Sequence, residues 1–275
     1  PRLSIVIVNF NGRGHLEPCL RSLVDPPSST PAEIVVVDNA STDGSASVVA
    51  GFPGIRLIQL ATNVGFSAGN NAGIRATAGE LVLLRTNDTV VPAGALDRLV
   101  ARLDADAAAA IAGPRLVDGR GEPELSFGPM ISPLGELRQK LVTGLYARRV
   151  WPATAWVRRA TARERYVDWV SGACLLVRRG VAGQVGLLDE RFFLYTEDVD
   201  FCASVRAAGW KVLFTPAAEI VHLRGRSRAT APRQMDAAYR RSHVAFYEKH
   251  HPRMVPLLRW YLRIRGRDPE QRGQP

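Results

Sequence analysis

The sequence contains few cysteines and no long apolar run. Its three cysteines, Cys19, Cys174 and Cys202, are odd in number and stand far apart in apolar or helical contexts. This pattern argues against a disulfide-stapled domain and predicts buried thiols in a reducing compartment. No apolar run reaches the roughly 18 residues that a membrane span needs, and no basic-then-apolar leader opens the sequence. From these absences we expect a cytoplasmic protein.

The composition is that of an ordinary globular protein with an excess of basic residues. Of the 275 residues, 46% are hydrophobic and 23% are charged. This length fits one large domain, or one domain with an appended subdomain. The 36 Lys and Arg residues outnumber the 26 Asp and Glu residues, which gives a net charge of +10. An anionic partner is therefore expected, and nucleic acid, nucleotide phosphates and an anionic membrane surface all qualify.

Apolar strands alternate with helical segments over the first hundred residues. Residues 3–10 and 33–41 are apolar runs that end in polar residues, as buried parallel strands do, and two shorter strands follow. The helices between them predict right-handed crossovers and a doubly wound sheet with helices on both faces. Ligands bind such sheets at the carboxyl ends of the strands. Asn9, Asp38 and Asp88 each end a predicted strand, so we expect them to surround one site.

Carboxylates and aromatic residues are interleaved in FFLYTEDVDF, residues 192–201. Glu197, Asp198 and Asp200 stand among Phe and Tyr, and Asp189 comes shortly before them. Apolar surroundings raise the pKa of a carboxylate and so prepare it to act as a general base. The pattern predicts a catalytic group here. A solvated acidic helix start is the alternative, and it leaves the aromatic residues without a role.

The remaining segments are less regular. Residues 166–179 are expected to form a strand with a Ser-Gly break, and the helix of the acidic motif is expected to end at Gly209. KVLFTP and AEIVHL then predict two short strands, and a basic helical segment begins at Arg233. We expect the chain to divide into residues 1–115, 116–232 and 233–275.

Seven motifs occur in an order that resembles a known enzyme family. They are SIVIVNFNG, VVVDNASTDGS, NVGFSAGNNAGI, a strand that ends in TNDT, SGACLLVRR, FFLYTEDVDFCASVRAAGW and VHLRG. In this order they resemble the family 2 glycosyltransferases of the GT-A fold, most of all the rhamnosyltransferase-like branch. The resemblance implies a mixed Rossmann-like sheet and the inverting transfer of a sugar from a dTDP- or UDP-linked donor, with dTDP-L-rhamnose favoured. The implied acceptor is a glycan or a polyprenyl-diphosphate-linked glycan.

The resemblance implies that the first half binds the nucleotide. Val8 and Asn9 would line the base, and Asp38 would accept hydrogen bonds from the base or ribose, because an ionised carboxylate only accepts. Glycine in the loop after the third strand would let the backbone approach the ligand closely. The implied members of that loop are Asn63, Gly65, Asn70 and Asn71. The alternatives are that Asp38 and Asn39 merely cap the next helix and that the loop is a simple turn into its helix.

The resemblance also implies a divalent metal, Mg²⁺ or Mn²⁺. TNDT stands where the family has a variable DxD motif, so Thr86 and Asn87 occupy its first two positions and only Asp88 is ionised. Asn87 and Asp88 would contact the nucleotide. Asp88 and His222 would hold the metal with diphosphate oxygens, because hard cations take oxygen ligands. The arginines implied to neutralise the diphosphate are Arg224, Arg226 and Arg228. Solvated surface positions are the alternative for at least two of them.

Asp198 is the implied general base. One carboxylate suffices for inverting transfer, because it removes the acceptor proton while the oxygen attacks the anomeric carbon opposite the diphosphate. Glu197 would orient sugar hydroxyls. Trp169, Ser171 and Gly172 would form a wall for the acceptor or donor sugar, with the indole ring stacking on a sugar face.

Two other functions compete with this interpretation. A nucleotidyltransferase would keep the fold, but it would need a glycine- and arginine-rich phosphate loop, and NFNGRGHLEP is a weak candidate for one. A nucleic-acid-binding protein would explain the charge, but it leaves the acidic motif unused, and no common RNA-binding motif is present. We therefore expect no nucleic-acid partner.

Two basic segments carry aromatic and aliphatic residues, LRQKLVTGLYARRVWPATAWVRRA and residues 239–265. Such segments bind anionic membrane surfaces, with aromatic rings at headgroup depth. The alternative is that the apolar residues pack on the core. We expect peripheral association with the inner face of the cell membrane, without a spanning helix.

Overall fold

A nine-stranded mixed sheet is the centre of the computed structural model, which describes residues 1–223 and 232–265. Its strands are β1 (Leu3–Asn9), β2 (Ala32–Asp38), β3 (Ile55–Gln59), β4 (Leu81–Thr86), β5 (Thr89–Val90), β6 (Ala109–Val117), β8 (Arg165–Val167), β10 (Cys174–Arg178) and β11 (Lys211–His222). A second sheet pairs β7 (Phe127–Gly128) with β9 (Trp169–Val170).

Helices surround the sheet. They are α1 (Arg13–Val24), α2 (Ser45–Ala50), α3 (Gly65–Arg75), α4 (Ala95–Asp104), α5 (Pro133–Ala147), α6 (Trp151–Ala160), α7 (Arg179–Gln184), α8 (Glu197–Ala207), α9 (Pro232–His250) and α10 (Val255–Ile264). A short 3-10 helix, Pro252–Met254, joins the last two. Within the described ranges, no helix combines the length and apolarity needed to cross a membrane.

The order of the strands brings three carboxyl ends to one edge of the sheet. The order is β3-β2-β1-β4-β10-β6-β11-β5, and β8 pairs with β11. β1 is parallel to both β2 and β4, with Asn9 opposite Asp38 and Val8 opposite Thr86. β10 is antiparallel between β4 and β6. The predicted mixed, doubly wound sheet is confirmed. It contains strands from both sides of residue 115, and the division of the chain at that residue stays a prediction.

Hydrophobic side chains cover both faces of the sheet, because successive residues of a strand point to opposite faces. Along β1, Val6 and Val8 join the cluster beneath α3, α7 and α8, whereas Ile5 and Ile7 join the cluster beneath α1 and α4. This two-sided burial explains the continuous apolar runs of the sequence. The three cysteines are buried free thiols, as expected.

Three local predictions differ from the structure. KVLFTP and AEIVHL form one strand, β11, because its pairing with β6 resumes after a register shift between Thr215 and Glu219. Pro216 lies in this shift and has no N–H to donate, which interrupts the sequence pattern without ending the strand. Residues 166–179 form parts of three strands rather than one. The α8 helix ends at Ala207, although Gly209 adopts the expected left-handed conformation just beyond it.

Candidate active site

Hydrogen bonds join the strand ends at the carboxyl edge. The Asn9 amide Nδ2 donates to Asp38 Oδ1 at 2.9 Å, and Asn87 Nδ2 donates to Asn9 Oδ1 at 2.6 Å. Gly12 makes this contact possible, because a Cβ atom there would lie 1.8 Å from Asn87 Nδ2. The structure therefore brings together the three strand ends that the sequence placed around one site.

Asp38 serves the turn after β2 rather than the start of the next helix. Its Oδ2 accepts from the Ser41 backbone N–H at 3.1 Å. The helix α2 begins at Ser45, whose N–H donates instead to Asp43 Oδ1 at 3.0 Å. The helix-capping alternative for Asp38 is therefore wrong.

The loop before α3 is held by Asn39, for which the sequence offered only the helix-capping alternative. Asn39 Nδ2 donates to Asn63 Oδ1 at 2.8 Å, and Asn39 Oδ1 accepts from Val64 N–H at 2.9 Å. Gly65 has φ +87°, and a Cβ atom there would lie 2.5 Å from the Phe193 carbonyl oxygen. Only glycine permits this approach, which joins the loop to the segment that precedes the acidic motif.

Two of the nucleotide-side residues take structural positions. Asn71 donates from Nδ2 to the Leu188 carbonyl and to Glu190 Oε1, both at 2.8 Å, and accepts from Leu188 N–H at 3.1 Å. These bonds use both ends of a buried amide, so we withdraw Asn71 as a nucleotide ligand. Val8 is buried and packs against Gly69 of α3. Asn70 Oδ1, by contrast, is buried without a hydrogen-bond partner among the described residues.

Asp88, His222 and Glu124 form a row of polar side chains beside the strand ends. His222 Nε2 lies 3.5 Å from Asp88 Oδ1, and His222 Nδ1 lies 3.0 Å from Glu124 Oε2. Burial alone would lower the pKa of His222, but the two carboxylates outweigh it and raise the pKa to about 9. Burial would likewise raise the pKa of Asp88, but His222 holds it at about 2.

The turn that carries Asp88 is fixed by a buried arginine. Arg85 has no exposed surface, and its Nε donates to Thr89 Oγ1 at 2.9 Å while an Nη2 hydrogen bond reaches the Thr89 carbonyl. Thr89 Oγ1 in turn donates to the Thr86 carbonyl at 2.9 Å. The Asp88 carbonyl accepts from Leu223 N–H, directly after His222. These bonds set Asp88 against His222.

Asp198 and Glu197 begin α8 in different surroundings. Asp198 is partly exposed, and its carboxylate accepts from the N–H groups of Gly172 and Val199, both at 2.8 Å. Glu197 is buried, and its Oε2 has no hydrogen-bond partner within residues 1–223 and 232–265. Burial raises the pKa of both, and the neighbouring Asp198 charge raises that of Glu197 further, well above its usual range. Burial without a partner for Oε2 therefore favours the neutral form of Glu197 more strongly than that of Asp198, whose carboxylate accepts two backbone N–H groups.

Residues 171–173 link the acidic motif to the strand ends. The Gly172 N–H contacts Asp198, and the Ala173 carbonyl accepts from Thr86 N–H at 3.2 Å. A Cβ atom on Gly172 would lie 3.2 Å from Asp198 Cβ, so glycine keeps this approach open. Ser171 N–H donates to the Ser126 carbonyl at 2.8 Å, which adds the loop of Glu124 to the same region.

Trp169 differs from its expected role. Its indole is buried, donates to the Pro129 carbonyl at 2.8 Å and packs on Gly128. The ring therefore packs against residues 128 and 129. We withdraw the prediction that it stacks on a sugar. Sequence reasoning also missed the contacts of Glu124 and Asn39, whose partners lie far along the chain, and that of Arg85 with Thr89, only four residues away. Arg224, Arg226 and Arg228 lie outside the described residues.

Asp88 and His222 fit a divalent metal. Asp88 Oδ1 is buried, accepts no hydrogen bond within the described part of the chain and faces an imidazole nitrogen. The opposite ring nitrogen contacts a carboxylate, which is the usual way in which a metal-binding histidine is oriented. No set of three His, Cys, Asp or Glu side chains among the residues described would enclose an ion. A metal here would need further ligands from the substrate.

Comparison with known proteins assigns the chain to a family. The family model described as "Glycosyltransferase like family 2" matches residues 1–241. The chain belongs to glycosyltransferase family 2. This glycosyltransferase is 32% identical over 275 aligned residues to the N-acetylglucosaminyl-diphospho-decaprenol L-rhamnosyltransferase of Mycobacterium tuberculosis, covering 95% of this chain and 89% of the relative. It is 30% identical over 208 residues to a low-salt glycan biosynthesis hexosyltransferase of Haloferax volcanii, covering 74% of this chain and 61% of that relative.

Solved structures confirm the GT-A fold of the glycosyltransferase. A mannosyltransferase of Pyrobaculum calidifontis, in complex with GDP-Man and Mn²⁺, superposes with a TM-score of 0.63 at 20% identity, covering 94% of this chain and 68% of that chain. Staphylococcus aureus TarS in complex with UDP-GlcNAc gives 0.59 at 17% identity, covering 90% and 67%. At these sequence identities the similarity supports the fold alone.

Proposed function

We propose that this glycosyltransferase transfers L-rhamnose, with inversion, from dTDP-L-rhamnose to a polyprenyl-diphosphate-linked glycan. The observation that carries the proposal is the placement of Asp198 across residues 171–173 from the Asp88–His222 pair. The sugar and the acceptor are supported by the M. tuberculosis relative, whose name specifies L-rhamnose and a decaprenyl-diphosphate acceptor.

In this proposal the nucleotide lies along the carboxyl edge. Asp38 and Asn87 would face the nucleoside, and the buried amide of Asn9 would hold both of them in position. The loop of Asn63, Gly65 and Asn70 would lie beside them. Asp88 and His222 would hold Mg²⁺ or Mn²⁺, and Glu124 would keep His222 Nε2 directed at the ion. When bound, the ion would neutralise charge on the diphosphate and make it a better leaving group.

Asp198 would remove the acceptor proton. The hydrogen bonds from Gly172 and Val199 orient its carboxylate and keep it ionised, while burial makes it a stronger base than an exposed aspartate. The acceptor oxygen attacks the anomeric carbon as its proton passes to Asp198, and the bond from that carbon to the diphosphate breaks. Protonated Glu197 would donate a hydrogen bond to a sugar hydroxyl.

A pair of isosteric variants tests these roles. Asp198→Asn removes the base, so turnover should fall by roughly 10²–10⁴-fold while nucleoside diphosphate binding changes little. Glu197→Gln resembles the protonated side chain and should retain most of the turnover. Rates with dTDP-L-rhamnose and calorimetry with dTDP would provide both readouts. More than a tenth of wild-type turnover in Asp198→Asn would remove that residue as the base.

We further propose that the enzyme works at the cytoplasmic face of the membrane, where a polyprenyl-linked acceptor is held. The net charge of +10 supports attraction to an anionic surface. Liposome co-sedimentation tests this, and binding should increase with anionic lipid and decrease with salt. Failure to bind vesicles of any charge would favour a soluble acceptor.

A further inference from the structure

The last helix, α10, has two separate apolar sides. Val255 and Leu258 pack against the hydrophobic core, and Leu262 is buried with them. A second set of apolar side chains, the exposed stripe, points away from that core. Its members are Leu257, Trp260, Tyr261 and Ile264, with exposed fractions of 55%, 60%, 48% and 65%. Their i, i+3, i+4 and i+7 spacing places them on one side of the helix.

One apolar side already satisfies the helix's packing requirement. The exposed stripe therefore leaves large hydrophobic residues in water without a reason in the fold, and such patches mark interaction surfaces. The stripe also has a specific composition, because a Trp and a Tyr stand beside Leu and Ile. Trp and Tyr are the residues that favour the boundary between lipid headgroups and acyl chains.

The charged residues of the segment that carries the exposed stripe are all basic, and one of them, Arg259, pairs with Glu248 of α9 at 2.8 Å. Residues 251–265 contain Arg253, Arg259, Arg263 and Arg265 and no Asp or Glu. Arg265 lies over the Tyr261 ring at 5.5 Å, so basic and aromatic groups share this surface. Cations at headgroup depth attract anionic lipids. An isologous contact between two copies would instead bring arginines together, which opposes self-association.

The helix before α10 is bound to the catalytic motif. Lys249 Nζ and His250 Nε2 contact the buried Asp200 carboxylate at 2.9 and 2.6 Å, and Asp200 lies two residues after Asp198. Only the short 3-10 helix separates this anchored end of α9 from α10. A surface contact made by α10 would therefore be mechanically connected to the catalytic helix.

We infer that the exposed stripe of α10 is the membrane-docking surface and that its partner is an anionic bilayer. This inference rests on the proposed use of a lipid-linked acceptor. The helix would lie in the plane of the headgroups, because its 10 residues are too few to cross a bilayer. Trp260 and Ile264 would enter the boundary region while the arginines contact lipid phosphates.

The experiment compares full-length variants by co-sedimentation with phosphatidylcholine vesicles, with and without phosphatidylglycerol. Trp260→Ser/Ile264→Ser should reduce binding to anionic vesicles by about tenfold or more, because it removes buried apolar area. Trp260→Phe should retain most of the binding. The matched control is Tyr166→Ser on β8, outside both basic segments and at a side chain with 53% exposure, and it should leave binding within about twofold. Thermal melts would verify that all variants fold.

Each outcome decides the inference. Unchanged vesicle binding in the double variant would overturn it, and so would a wild-type dimer in solution that the double variant converts to monomer. Calorimetry with dTDP separates this result from the enzymatic proposal. A protein that binds dTDP with Mn²⁺ but ignores vesicles would overturn the docking surface and the membrane location while leaving the nucleotide site in place, whereas failure to bind nucleotide would overturn the enzymatic proposal.

Discussion

Arg85 is the least expected residue beside the candidate active site. It is fully buried on β4, and within the described chain it forms no ion pair. Its hydrogen bonds go to Thr89 at the far side of the turn that carries Asp88, and its Nη1 has no partner there. Burying an arginine in this way is costly. The arginine is therefore best explained as a support that fixes the position of the Asp88 carboxylate.

Removal of Arg85 should weaken metal-dependent nucleotide binding. We expect Arg85→Leu to reduce dTDP affinity in the presence of Mn²⁺ by about tenfold, the equivalent of one charged hydrogen bond. The dTDP affinity of Arg85→Lys should lie between those of the wild type and Arg85→Leu, because an ammonium group cannot form both of the hydrogen bonds that the guanidinium forms with Thr89. Calorimetry with and without Mn²⁺ checks this, with Asp88→Ala as the reference for full loss. A metal-independent loss would indicate a merely structural role.

Single helices and loops are positioned by buried or half-buried carboxylates. Asp97, near the start of α4, accepts from the hydroxyl groups of Ser28 and Thr30 at 2.6 and 2.8 Å and from their neighbouring backbone N–H groups. One side chain thus fastens the loop before β2 to a helix nearly 70 residues later. Asp200 does the same for α8 and α9 through Lys249 and His250. These contacts join elements that sequence patterns describe only one at a time.

The Asp97 contact predicts a pH-dependent contribution to stability. Burial alone would raise the pKa of Asp97, but the hydrogen bonds from Ser28 and Thr30 lower it well below the ordinary value. A depressed pKa stabilises the fold above about pH 4, and the contribution is lost as the pH falls through the folded-state pKa. Asp97→Asn should therefore cost about 1–2 kcal/mol at pH 7. Urea unfolding at several pH values checks this, and a cost that stays constant down to pH 2 would contradict it.

The whole molecule combines a strongly basic surface with a site divided between two parts of the chain. Asp88 and the nucleotide-side residues belong to the first half, whereas Asp198 and His222 belong to the second. The proposed metal has two protein ligands, and in the described ranges no third side chain of a suitable type joins them. A bound nucleotide diphosphate would therefore complete the coordination and hold the halves together.

This division predicts cooperative stabilisation by nucleotide and metal. We expect dTDP-L-rhamnose with Mn²⁺ to raise the Tm by about 5 °C at one hundred times its Kd, because ligand binding adds about 2.7 kcal/mol to the folded state. Either component alone should raise it much less. A thermal-shift series over dTDP, UDP and GDP sugars checks this. Equal shifts with and without Mn²⁺ would argue against a shared metal.

The sequence by itself determined the sheet and the approximate place of the site. The local signals are the runs of apolar residues, the glycines between them and the polar residues at their ends. They were enough to predict that Asn9, Asp38 and Asp88 lie at one edge of the sheet. The order of the motifs sufficed for the family. The break at Pro216 was misjudged because periodicity does not show whether a strand resumes its pairing.

Only the tertiary structure decided which of the candidate side chains serve the fold and which remain available to a ligand. Asn71 and Trp169 satisfy backbone carbonyls from distant segments, whereas Glu124 reaches His222 across 98 residues. The same holds for α10, where packing selected which of two apolar sides is buried. Hydrogen-bond partners and buried faces depend on contacts between residues far apart in the chain, and no pattern of sequence neighbours contains that information.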